Sequence, residues 1–144
     1  MATNLIQEEL KTAVSQAGAA AVALAAGKGP GHFPTATQAV LADATIATYI
    51  ASAAGAITAA QAFVGTGCTG TQTTEVDVLI GAVSIFTVKP LMDLAAGTTV
   101  QAGTVNPAKL AFVKGSVITV SNDYTVGGGG AGANLFVTVG YQLT

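Results

Sequence analysis

The chain has 144 residues, and only 8% of them are charged, against about 25% in ordinary soluble domains. The net charge is −2 and all five cations are lysines, which argues against a nucleic-acid partner because backbone neutralisation needs clustered cations. Charge depletion is typical of interface cores, so the composition predicts a subunit whose surface largely faces other subunits.

The first 64 residues carry a helical pattern. Capping signals at Asn4 and Thr35 predict helices over residues 4–26 and 35–64, separated by a loop rich in glycine and proline. We therefore expect residues 1–64 to form an alanine-rich helical hairpin.

The second predicted helix has two faces that suit packing. One is an isoleucine stripe, and the other is a ladder of small residues four apart, which lets two backbones approach closely. Together they form the hypothetical assembly interface: Ile46, Ile50, Ile57, Ala47, Ala51, Gly55 and Ala59. On this hypothesis Ala51→Glu or Gly55→Leu should abolish assembly and leave the β part folded.

The pattern changes after the second helix. Residues 65–74 form an uncharged linker of glycine and threonine, and residues 75–144 form several short β-branched segments with turns between them. These segments predict a small antiparallel β-sandwich or barrel-like sheet. The predicted fold class is α+β, with the helical hairpin first and the β domain second.

A membrane span is disfavoured although Ala44–Val64 is long enough to cross a bilayer. The segment contains several threonines, Ser52 and Gln61 but few large aliphatic residues, and its flanks lack the lysine and aromatic anchors of membrane spans.

Two segments match the dinucleotide motif G-x-G-x-x-G, at residues 65–70 and 127–132. The motif binds phosphate only between a strand and a helix that follows it. The first match follows a predicted helix and the second lies between predicted strands, so we expect no nucleotide and no other cofactor.

Candidate catalytic and metal-binding residues are few. Cys68 and His32 are the only cysteine and histidine, which is too few for a zinc site. Glu75 and Asp77 lie on one strand face and could hold a hard cation together with Asp123, but a solvated strand edge is the simpler interpretation. We predict no enzyme, no catalytic residue and no metal.

Three features of the chain are noted together: a first half rich in alanine, threonine and glycine, the hairpin-like segment KLAFVKGSVITVSNDYT, and the segment NLFVTVGYQLT. In these features the chain resembles small virion structural proteins of bacterial viruses, namely capsid, cement or decoration subunits. The resemblance implies a leaderless, cytoplasmically made homo-oligomer that contacts neighbouring shell proteins in the virion.

Two alternatives stay open at this point. One is a pilin-like extracellular filament subunit, with an apolar helix before a β head. The other is a β module that binds a small ligand or glycan, for which the sequence offers three tyrosines and no tryptophan.

Overall fold

The computed structural model of the chain describes residues 29–144, and the regular structure in this part is almost entirely β. The longer strands are β2 (Ala36–Val40), β3 (Ala44–Ile50), β4 (Gly55–Thr66), β5 (Thr73–Ile80), β12 (Val117–Thr125) and β13 (Ala133–Leu143). The shorter ones are β1 (Gly29–His32), β6 (Val83–Ser84), β7 (Phe86–Val88), β8 (Leu91–Met92), β9 (Gln101–Ala102), β10 (Thr104–Val105) and β11 (Ala111–Phe112). In this part of the chain a single 3-10 turn covers Pro107–Lys109.

The predicted α+β class is therefore wrong for the described residues. The helix expected over residues 35–64 is replaced by β2, β3 and β4, so residues 29–64 belong to the β fold rather than to a helical domain. The predicted helix over residues 4–26 lies outside the described residues. The predicted linker is shorter than expected, because β4 runs to Thr66 and β5 begins at Thr73.

The strands form two main antiparallel sheets and a small ribbon. In sheet A, β13 lies between β4 on one side and β1 and β2 on the other, and β4 also pairs with β9 and β11. In sheet B the order is β3, β12, β5, and β5 pairs with both β6 and β8. The ribbon consists of β7 and β10.

The chain alternates between the two sheets. If β1 with β2, β6 with β8, and β9 with β11 are each counted as one interrupted strand, the two sheets contain eight strands in chain order. Sheet A then has the spatial order 1-8-3-6, and sheet B has the order 2-7-4-5. Two sheets interleaved in this way form the two Greek keys of a jelly roll. The antiparallel sheets expected for the second half of the chain are thus present, and they extend back to residue 29.

The misassigned helix has a physical explanation in the spacing of its residues. Side chains four apart share a face both on a helix of period 3.6 and on a strand of period 2, so the stripe and the ladder do not distinguish the two structures. Alanine has the highest helix propensity, but propensities amount to less than about 1 kcal/mol per residue for most residues, and tertiary packing overrides them here. In β4 the alternation is visible, because Ala60, Ala62 and Val64 are buried whereas Gln61 is exposed.

The core lies between the two sheets. Sheet A contributes Leu135, Val137 and Val139 from β13, and sheet B contributes Ile118 and Val120 from β12. Each of these residues is at most 2% exposed. The core of the described part therefore consists mainly of medium-sized aliphatic side chains, in keeping with the low aromatic content of the sequence.

One polar link crosses this core. The buried Asn122 of β12 donates from Nδ2 to Oε1 of Gln38 in β2 at 2.8 Å. A hydrogen bond between two polar side chains offsets the cost of burying them and fixes the position of one sheet against the other.

The two glycine-rich motifs pair with each other at one end of the sandwich. Thr69 N donates to Gly130 O at 3.1 Å, and Thr71 N donates to Gly128 O at 3.0 Å. The threonine hydroxyls accept in return from the amides of the same two glycines. Thr69 and Thr71 therefore join the first glycine-rich loop to Gly128 and Gly130 of the second, and we call this contact the loop clasp.

We predict that Gly70→Ala destabilises the protein by about 2–4 kcal/mol, because the new Cβ would overlap the carbonyl oxygen of Gly128 in a left-handed backbone conformation (φ +67°). Gly81→Ala is the matched control, since Gly81 has nearly the same φ, +63°, with nothing within 4 Å of the added atom. It should cost only about 1–2 kcal/mol. Urea denaturation measures both values, and equal losses would contradict the steric role of the clasp.

Candidate assembly interface

Sheet A contains no Asp, Glu, Lys or Arg in any of its strands within the described residues. The charged residues of the described part all lie in sheet B or in connections between strands: Asp43, Glu75, Asp77, Lys89, Asp93, Lys109, Lys114 and Asp123. The inner face of sheet A is core, where absence of charge is ordinary. The outer face of a sheet normally carries polar and charged side chains, so its neutrality in this chain needs a separate explanation.

The outer face of sheet A is centred on two stacked phenylalanines. Phe63 of β4 and Phe136 of β13 are directly opposite each other in the register, with ring centroids 4.9 Å apart and planes inclined by 14°. The surrounding outward side chains are small or neutral. We call this surface the neutral face, and its members are Thr37, Ala39, Ala59, Gln61, Phe63, Phe136 and Thr138.

A shallow depression of about 210 Å³ adjoins the aromatic pair. It lies between β2 and β13 and is lined by Thr37, Ala39, Asn134 and Phe136 among others. Asn134 has a positive φ of 57°, which places an irregularity at the start of β13. The neutral face therefore has a recess between β2 and β13, beside the ring of Phe136.

The chemistry of this face is that of an interface core. Depletion of charge and enrichment in aromatic residues distinguish interface cores from ordinary surface. Four strand positions about 4.8 Å apart and a rise of about 3.4 Å per residue give an area of about 700 Å² along the eleven residues of β13. This area is that of the whole outer side of sheet A, of which the neutral face is a part. A stable interface buries roughly 800 Å² on each partner, so the whole outer side of the sheet has nearly the size required.

The sequence-predicted interface residues do not share a surface. Ile57, Ala51 and Gly55 are buried inside this chain, and Ile46 and Ala47 of β3 are half-buried against its core. The two exposed members are divided between the sheets: Ala59 lies on the neutral face, whereas Ile50 is exposed at the end of β3 in sheet B. Of the predicted set, only Ala59 belongs to the neutral face.

Phe63, Phe136 and Thr138 are absent from the interface predicted from the sequence. The alternation of β13 does place Phe136, Thr138 and Gln142 on one face. The sequence does not identify the strand that pairs with β13, because its pattern assigns the segment containing Phe63 to a helix. A search for uncharged stretches with period-2 alternation would find both strands.

The outer face of sheet B has the opposite character. Lys89 Nζ lies 3.1 Å from Glu75 and 3.2 Å from Asp77, and Ser84 donates to Asp77 at 2.6 Å. The hydrogen bond to Glu75, together with Asp77, raises the pKa of Lys89 above its usual 10.5, although partial burial opposes this rise. Lys89 thus pairs with two of the three carboxylates that the sequence offers as cation ligands and offsets one of their two negative charges.

The other chemical candidates are not brought together. Cys68 is buried beside Gly132, just before β13. His32 is exposed and pairs with Gly140, which is eight residues beyond Gly132, or about 27 Å by the rise of an extended strand. Among residues 29–144, no three His, Cys, Asp or Glu side chains are grouped as metal ligands would be. Within the same residues, no helix has the length and apolar character needed to span a membrane.

Comparisons with protein-family models, with curated proteins and with solved structures find no significant match to this chain.

We expect Ala51→Glu and Gly55→Leu to unfold the protein rather than to block assembly selectively. A glutamate at the buried Ala51 would place an unpaired charge in the core, and a side chain at Gly55 would overlap the carbonyl of Gln142. Each should cost about 3–5 kcal/mol. Ala59→Glu is the control for folding, because this alanine of the same ladder is exposed in the single chain and its charge would not enter the core. Thermal unfolding followed by circular dichroism measures the three melting temperatures. Equal melting temperatures for all three variants would contradict the placement of Ala51 and Gly55 in the interior.

Lys89→Met should lower the free energy of unfolding by about 0.5 kcal/mol at neutral pH, because partly exposed ion pairs are screened by solvent. The folded pKa of Lys89 is raised, so its contribution is complete below about 10.5 and is lost as pH rises through the folded value. The difference in stability between wild type and variant, measured by urea titration from about pH 8 to about pH 12, should therefore vanish at the alkaline end. If the difference in the free energy of unfolding were the same at every pH, the substitution would act through packing rather than through charge.

Proposed function

We propose that this chain is a non-enzymatic structural subunit of a large assembly, and that its neutral face packs against a neighbouring subunit. The observation that carries this proposal is the complete absence of charged residues from the described strands of sheet A. A free subunit would expose this face to water without the charges that normally keep proteins soluble. Burial against a neighbour removes that exposure.

The aromatic pair supplies the anchor of the proposed contact. Phe63 and Phe136 stack on each other, and neither ring is fully buried within the chain. Aromatic side chains near the centre of an interface contribute a large part of its binding energy, and small neighbours let a partner approach closely. A central pair of rings among alanine and threonine matches this arrangement.

We further propose that the assembly is a virion and that the chain is a capsid or capsid-associated protein, of the cement or decoration type. Two observations support this more specific proposal: the charge-poor composition and the jelly-roll strand order. Jelly rolls occur in viral capsid proteins and also in lectins and cupins, so the topology supports the proposal by analogy of fold. The partners would be further copies of this chain and neighbouring shell proteins.

The filament alternative requires an apolar helix before a β head. Residues 35–64 are largely strands and would belong to the head, so the helix would have to come from the segment 4–26, which lies outside the described residues. Electron microscopy of the native source separates the two alternatives, because a virion subunit belongs to closed particles and a filament subunit to fibres.

Thr138→Lys should dissociate the assembly, because it places a charge at the centre of the neutral face beside Gln61. Thr48→Lys is the matched control, since Thr48 is an exposed threonine on a strand of sheet B. A desolvated, unpaired lysine should weaken association at least tenfold, which corresponds to about 1.4 kcal/mol. Mass photometry across a concentration series measures the shift.

Two results would overturn the proposal. One is a wild-type protein that is monomeric at micromolar concentration with no shell protein needed for its solubility. The other is a Thr138→Lys variant that assembles as the Thr48→Lys variant does. Circular dichroism of both variants confirms that any loss of assembly is not a loss of fold.

A further inference from the structure

A cavity of about 270 Å³ opens at the end of the sandwich where β3 and β13 finish. Since β13 begins next to the loop clasp, the cavity and the clasp lie at opposite ends of this strand. None of the described residues that line the cavity belongs to the neutral face, so it is separate from the proposed assembly contact. Its lining includes His32, Phe33, Tyr49, Ser52, Phe112 and Tyr141.

The cavity collects a large share of the aromatic residues of the chain. The sequence has five phenylalanines, three tyrosines and no tryptophan, and four of these eight residues line the cavity. Phe33 stacks on Tyr49 with ring centroids 4.9 Å apart, and its centroid lies 4.6 Å from that of Tyr141. Phe112 meets Tyr141 edge-on at 6.4 Å. Because the four rings hold one another in place, the walls of the cavity are preformed.

Hydroxyl groups are interspersed among these rings. The Tyr49 hydroxyl donates to Pro34 O at 2.5 Å and keeps its lone pairs as acceptors. Ser52 and Tyr141 contribute two more hydroxyls, each of which can donate and accept. No Asp, Glu, Lys or Arg of the described residues lines the cavity. The walls therefore offer apolar rings and neutral hydrogen-bonding groups but no countercharge.

We propose that this cavity binds one ring of a neutral sugar, namely a hexopyranose that is free or ends a glycan. The C–H groups on the faces of a pyranose stack on aromatic rings and gain dispersion contacts. Its hydroxyls, which lie round the edge of the ring, need donors and acceptors in place of water. Aromatic walls with a few placed polar groups are the usual form of a small-molecule site.

The same walls disfavour other kinds of ligand. A charged ligand would lose its hydration in the cavity without meeting an opposite charge. A purely apolar ligand would displace water from the hydroxyls of Ser52 and Tyr141 and give them no partner in return. The volume of about 270 Å³ lies just below the range of sites for drug-sized ligands, roughly 300–1,000 Å³, so it admits about one ring.

Saturation-transfer NMR on the full chain tests the proposal. The probes are the methyl glycosides of glucose, galactose, mannose and N-acetylglucosamine. Methyl glucuronide is the charged control, and cyclohexanol is the control that keeps a six-membered ring with a single hydroxyl. We expect at least one glycoside to bind with a Kd of about 1–10 mM, as suits so small a ligand. Saturation of the aromatic protons should reach mainly the C–H protons on one face of the sugar.

Two variants locate the binding in the cavity. Ser52→Ala and Tyr141→Phe each remove one hydroxyl from the wall, and each should raise the Kd of the bound glycoside about three- to tenfold. Ser121→Ala is the matched control, because Ser121 lies on β12 in sheet B and does not line the cavity. It should leave the Kd unchanged. Circular dichroism of the three variants shows whether a change in the Kd reflects a change in folding.

The possible results divide clearly. A glycoside that binds more tightly than both control ligands, and that the two cavity variants weaken, supports the proposal. The proposal is overturned if none of the glycosides binds at tens of millimolar, or if cyclohexanol or methyl glucuronide binds as tightly as the best glycoside. It is also overturned if Ser52→Ala and Tyr141→Phe leave the Kd at the value of the Ser121→Ala variant, because the sugar would then bind elsewhere.

Discussion

The register between β13 and β4 determines most of what this protein presents to its surroundings. It sets Leu135 opposite Val64 on the inside and Phe136 opposite Phe63 on the outside. Because side chains alternate along a strand, a slip by one residue would exchange the two faces and expose the core. The packing of the sandwich and the composition of the neutral face are therefore two results of one set of main-chain hydrogen bonds.

The two outer faces of the sandwich differ in their distribution of charge. On sheet B, Glu75 and Asp77 form ion pairs with Lys89, which suit exposure to water. The described strands of sheet A carry no such charges, and their outer surface has a central aromatic pair. Such one-sided neutrality gives a subunit a defined direction of contact, because the face with charges resists desolvation and the face without them does not.

The strand period of residues 134–144 could be predicted from the sequence, whereas the helix assigned to residues 35–64 is wrong. The difference lies in the spacing of the signals: Phe136 and Thr138 are two apart and indicate a strand, whereas Ile46 and Ile50 are four apart and suit either structure. The neutral face could not be predicted for a different reason. It exists only when Phe63 and Phe136, which are distant in sequence, are brought opposite each other by strand pairing.

The loop clasp has a consequence for the environments in which the fold persists. It joins Thr69 to Gly130 and so closes a long stretch of chain that contains β5 to β12. Many extracellular proteins impose such a restraint with a disulfide, which a chain with a single cysteine cannot form internally. Main-chain hydrogen bonds do not respond to redox potential. A subunit made in a reducing cytoplasm and released into an oxidising medium would keep this restraint unchanged in both.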